Sequence, residues 1–73
     1  MAKKEIRSEI TGSVWKILKR AGDPVEEEDS LMILESMKME IPVLAEAKGK
    51  VAEIRVQEND PVAEGAVLAV LEV

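Results

Sequence analysis

Few side chains in this 73-residue chain can do chemistry. Cysteine and histidine are both absent. That removes the thiolate nucleophile, the disulfide, the cysteine metal site, the usual neutral-pH general base and the commonest transition-metal ligand. Carboxylates and amines remain. One amine stands apart from the rest, because Lys38 lies in Glu35-Ser36-Met37-Lys38-Met39-Glu40, bracketed by two methionines. A lysine at a turn is ordinarily just a solvated charge. Large apolar side chains at an exposed tip are different, since they lose solvation free energy for no structural gain unless something else contacts them. Met37 and Met39 therefore make Lys38 the candidate working residue. If the segment is extended, the methionines share one side and Lys38 takes the other. If the turn falls here, Lys38 points outward into water.

The elements that position this lysine are two copies of one unit. Sliding the chain by 37 residues lays Gly12 on Gly49, Val14 on Val51, Ile17 on Ile54 and Asp23-Pro24-Val25 on Asp60-Pro61-Val62. Leu31 falls on Leu68, and Leu34-Glu35 on Leu71-Glu72. Without a gap, 11 of the 29 pairs from Ser8 to Ser36 are identical. A unit this short cannot bury a core alone, so the two copies must share one hydrophobic interior. Lys38 falls at their joint.

Val, Ile and Leu occur in runs of three to five broken by Gly, Pro, Asp or Asn, the spacing of short strands joined by turns. Strands are expected at about 5–10, 13–18, 23–25, 31–35, 39–44, 50–56, 60–62 and 67–71, the third and seventh only turn-like. Pro24 and Pro61 belong at strand starts or edges, because proline donates no ladder hydrogen bond. Val14 and Ile17 lie three apart, which predicts a bulge or two-sided burial in the second strand. Gly12 and Gly49 are expected at turns or bulges with positive φ. Gly22 and Asn59, equivalent in the repeat, suit one left-handed turn position. Gly65 faces Glu28 across the repeat with no matching explanation. The fold class is all-β: eight short strands in two equivalent sets suit a flattened barrel or two-sheet sandwich, forming a single domain over residues 1–73.

Composition excludes several classes. The net charge is −5, from 10 Lys and Arg against 15 Asp and Glu, and Trp15 is the only aromatic. A nucleic-acid footprint needs a basic face and usually stacking aromatics. An active site of carboxylates and lysine alone points away from an enzyme. No apolar run approaches a membrane span, and Met1-Ala2-Lys3-Lys4-Glu5 lacks the apolar stretch of a signal peptide, so the cytoplasm is the expected location. Glu26-Glu27-Glu28-Asp29 reads as a solvated turn.

Glu35-Ser36-Met37-Lys38-Met39 resembles the attachment motif of the biotinyl/lipoyl attachment domain family. Residues 47–54, followed by 59–68, are similar to that family's Gly-x-Val and Asp-x-Val stretch, so the resemblance covers nearly the whole chain. It is closest to the small free-standing biotin/lipoyl attachment proteins and to biotin carboxyl carrier subunits. Asn59 stands where the family usually has Gly, and Glu46 where it often has Pro. The stretches 17–23 and 54–60 are equal in length, so the protruding thumb of some carriers is not expected.

The resemblance implies two four-stranded antiparallel sheets related by a pseudo-twofold axis, with the modified lysine on the hairpin between the halves. Lys38 is then the acceptor of covalent biotin, with Met37, Met39 and Glu35 as the flanking cofactor-site residues. The implied role is that of a non-catalytic biotin carboxyl carrier protein. It is served by a biotin protein ligase and shuttles a carboxyl group between a biotin carboxylase and a carboxyltransferase. The alternative is a lipoyl carrier or a protein of dual use. Lipoyl domains usually place an acidic residue directly before the lysine, and Met37 occupies that position here. A monomer is expected in isolation.

Overall fold

The computed structural model describes residues 2–73. Eight strands run through them without a helix: β1 Lys3–Arg7, β2 Gly12–Ile17, β3 Pro24–Val25, β4 Ser30–Ser36, β5 Met39–Leu44, β6 Gly49–Ile54, β7 Pro61–Val62 and β8 Val67–Glu72. Each expected strand is present. The first begins and ends earlier than the residue pattern predicts. Its end lies just before Ser8, whose buried hydroxyl donates to the Ile10 carbonyl at 2.6 Å and accepts from the Ile10 N–H at 3.2 Å. A side chain that bonds its own backbone two residues on draws it out of the ladder.

The strands form two sheets in the orders β1-β8-β6-β3 and β5-β4-β2-β7, with every pair antiparallel. Each sheet takes two strands from each repeat. A shift of 37 residues carries β1 onto β5, β2 onto β6, β3 onto β7 and β4 onto β8, and so exchanges the sheets as a pseudo-twofold would. The bulges obey the same rule. The register skips Trp15 in β2 and its equivalent Ala52 in β6, and Leu31 in β4 and its equivalent Leu68 in β8. The Trp15 bulge accounts for the three-residue spacing of Val14 and Ile17. The β2–β3 and β6–β7 connections are equally long, 18–23 and 55–60, with no thumb between them.

The core lies between the sheets and is built from equivalent pairs: Val14 with Val51, Val25 with Val62, Leu31 with Leu68 and Leu34 with Leu71, all buried. Asp23 and Asp60 recur because each closes a turn: their carboxylates accept the N–H groups of Arg20 and Gln57, both at 2.9 Å. Gly22 (φ 97°) and Asn59 (φ 77°) are left-handed, as expected of residues that tolerate that conformation. Gly65 (φ 90°) and Glu28 (φ 74°) form a second left-handed pair. Their N–H groups donate to the carbonyls of Ser8 and Ala45, both at 2.8 Å. The acidic run 26–29 is accordingly a solvent-facing turn, with the Asp29 carboxylate accepting the Glu26 N–H at 2.9 Å.

Gly12 and Gly49 correct an expectation, for neither has positive φ. Both open a strand, at points where a Cβ would be driven into the carbonyl oxygen of Glu35 or Glu72. Glycine is required there by close approach of two backbones, not by left-handed geometry.

Candidate functional site: an exposed lysine hairpin

β4 and β5 pair in register from Ser30↔Leu44 to Ser36↔Met39, leaving Met37 and Lys38 as the two central residues of the hairpin. Both have positive φ, 51° and 66°. A two-residue loop with two left-handed residues has the signature of a type I′ turn, whose twist matches that of the flanking strands. The turn falls at Met37-Lys38, so the extended alternative for this segment does not hold. Asn-Gly is the usual sequence in such a turn. Met and Lys adopt it at a cost of roughly 1–2 kcal/mol per residue, from Cβ against backbone. The long ladder and the buried Leu31, Met32 and Leu34 of β4 hold the hairpin in this conformation.

The tip is open. Met37 is 92% exposed, Met39 is 62% exposed and Lys38 is exposed. Among the described residues no ion pair engages Lys38. Clefts lined by Ile17, Arg20, Ile54 and Gln57, and by Leu34, Ile41 and Val43, include none of the three tip residues. Such a site cannot enclose a substrate. It can present an amine to a pocket carried by another protein.

Glu35 sits one register pair below the tip, directly opposite Glu40, and both are exposed. Like charges directly opposite destabilise a strand pair. In the other sheet the equivalent Glu72 lies between Lys3 and Lys50. The structure thus gathers Met37, Lys38 and Met39 at the tip and places Glu35 on the strand that supports it. Thr11 escaped the reading of the residues. Ser36 Oγ donates to the Thr11 carbonyl at 3.1 Å, and Thr11 Oγ1 accepts the Glu64 N–H at 3.2 Å. These bonds tie the hairpin base to the β1–β2 connection and to the β7–β8 turn. They span 25 and 53 residues, and no local pattern announces contacts of that length.

Comparison with known proteins gives the family of the fold. Residues 4–71 match the family model described as "Biotin-requiring enzyme". A biotin/lipoyl attachment protein of Bacillus subtilis is 47% identical over 60 residues, which span 82% of each chain. A biotinylated protein TB7.3 homolog of Mycobacterium leprae is 42% identical over 67 residues, 92% of this chain and 94% of that one. The crystal structure of the Kluyveromyces lactis urea carboxylase superposes with a TM-score of 0.93 at 38% identity, covering 99% of this chain but 6% of the carboxylase. With residues 4–71 matched by the family model and nearly its whole length covered by these relatives, the chain belongs to the biotin-requiring enzyme family of biotin/lipoyl attachment domains.

Proposed function

We propose that this protein is a biotin carboxyl carrier with Lys38 as the attachment site. The observation that carries the reading is the lysine held at the left-handed centre of an open hairpin, between two exposed methionines, where the two repeats join. These residues fit a covalently tethered group: the amine is reachable from outside and nothing around it competes for the position.

A lysine amine attacks an activated acyl group only after losing its proton, and among the described residues no carboxylate pairs with Lys38. The biotin protein ligase must therefore supply the base along with the activated biotin. Lys38 Nζ then forms an amide and loses its positive charge, which takes the net charge from −5 to −6. Met37 and Met39 offer polarizable apolar contact beside the target atom. When bound, biotin supplies the ring nitrogen that accepts a carboxyl group at a biotin carboxylase and yields it at a carboxyltransferase. The chain contributes reach and position, since a tether replaces free diffusion with a high effective concentration at each partner. The chain itself is non-catalytic.

Biotin is favoured over lipoate because Met37 stands directly before Lys38, where lipoyl domains usually carry an acidic residue. The Bacillus subtilis relative bears both cofactors in its name, and this fold suits either. Co-expression with a biotin ligase should give one biotin per chain by intact mass, and Lys38→Arg should give none. A biotinylated Lys38→Arg protein overturns the site assignment.

A further inference from the structure

We propose that Met37 and Met39 are themselves a modification site, oxidised by peroxides to methionine sulfoxide, and that this oxidation blocks acylation of Lys38 until a methionine sulfoxide reductase reverses it. The blocking step rests on the reading of Lys38 as the biotin acceptor. The oxidation itself does not.

Among the described residues the accessible thioethers lie at one place. Met37 and Met39 flank Lys38 at 92% and 62% exposure, whereas Met32 is wholly enclosed between the sheets. Thioether oxidation follows exposure. Peroxide therefore reaches the tip of the native protein and leaves the core methionine untouched. The left-handed conformation of Met37 contributes, because it places the residue at the turn centre, where no strand neighbour covers it.

The chemistry is a two-electron transfer. The thioether sulfur attacks one peroxide oxygen, an S–O bond forms as the O–O bond breaks, and water leaves from hydrogen peroxide, or an alcohol from an organic hydroperoxide. A reductase returns the thioether using two electrons from a dithiol, releasing water and leaving a disulfide. Each sulfoxide is chiral, so complete reversal needs reductases for both epimers.

The consequence follows from what the methionines offer a ligase. Two flexible apolar arms beside Lys38 can be covered without loss of hydrogen bonds. A sulfoxide oxygen is a strong acceptor, and covering it without a donor carries the full desolvation penalty. Folding is unaffected, because neither side chain belongs to the core. Oxidation would thus change recognition of the tip while the sheets stay as they are.

The experiment uses the unbiotinylated protein, dilute hydrogen peroxide and a purified biotin ligase. Peptide mapping by mass should find sulfoxide at Met37 and Met39 and none at Met32. The ligase's kcat/KM on the oxidised protein should fall by about tenfold or more, the effect of one uncompensated buried acceptor. The melting temperature should not move. Treatment with reductases of both epimer specificities and dithiothreitol should restore the rate. A Met37→Leu/Met39→Leu protein, whatever its own rate, should be acylated at the same rate before and after peroxide treatment. Oxidation of Met32 as fast as Met37, or an oxidised protein acylated at the untreated rate, overturns the proposal. An untreated protein that accepts no biotin overturns the Lys38 reading and the block with it.

Discussion

The two repeats differ least where they are buried and most where they meet solvent. Inside, Val14 and Val51, Leu31 and Leu68, and Leu34 and Leu71 are identical and equally enclosed. On the outer faces, the cross-strand row Lys16-Ile33-Pro42 of one sheet corresponds to Glu53-Val70-Glu5 of the other, in which Val70 is covered. Glu53 and Glu5 are there ion-paired with Arg55 and Arg7, each at 2.6 Å. Trp15, partly exposed, replaces Ala52. A shared interior favours one set of shapes in both copies, since close-packed side chains leave little room for change, though buried Met32 faces buried Ala69 across the repeat and Ser8 faces Ala45. Water imposes no such symmetry.

The joint shows the sharpest difference. Ser36 and Met39 pair at the base of the Lys38 hairpin, and their equivalents Val73 and Ala2 pair as well, Val73 N–H to Ala2 O at 2.9 Å and Ala2 N–H to Val73 O at 3.2 Å. Those equivalents pair without a turn between them. The Lys38 hairpin closes the same pairing with a two-residue left-handed turn.

Separating the halves should have the largest effect. Because each sheet draws two strands from each repeat, fragments 1–36 and 39–73 should both be unfolded alone, with collapsed amide dispersion by NMR. A dispersed spectrum from either would end the argument that they share one core. Next in size, Leu31→Ala and Leu68→Ala should each cost roughly 2–5 kcal/mol. Their denaturation midpoints should fall by similar amounts. Unequal losses would show that the sheets support their bulges differently. The smallest change should be a gain. Replacing Met37-Lys38 with Asn-Gly relieves two strained residues, offset in part by the backbone entropy of glycine, and should stabilise the fold by about 1–3 kcal/mol in urea titrations, while abolishing attachment. An unchanged or lowered midpoint would mean that the tip residues serve the fold as well as the function.

Much of this protein is determined by local pattern. The repeat, the eight short strands, the Asp-Pro-Val turns, the bulge implied by Val14 and Ile17, and the place of Lys38 at the joint all follow from residue types and spacing, because turn chemistry and side-chain alternation act over a few residues. Tertiary structure decided the rest. Strand partners are chosen by long-range pairing, which is why interleaved sheets cannot be seen in either half. Gly12 and Gly49 have ordinary φ and are instead pressed against the carbonyls of Glu35 and Glu72, a crowding that exists only once the strands pack. Glu28 takes a left-handed turn that Gly65 takes freely, because the bond to Ala45 holds it there. The bonds of Ser36 and Thr11 that steady the hairpin likewise join residues far apart in the chain. A residue's type tells what its backbone tolerates, while its neighbours in space decide which tolerance is used.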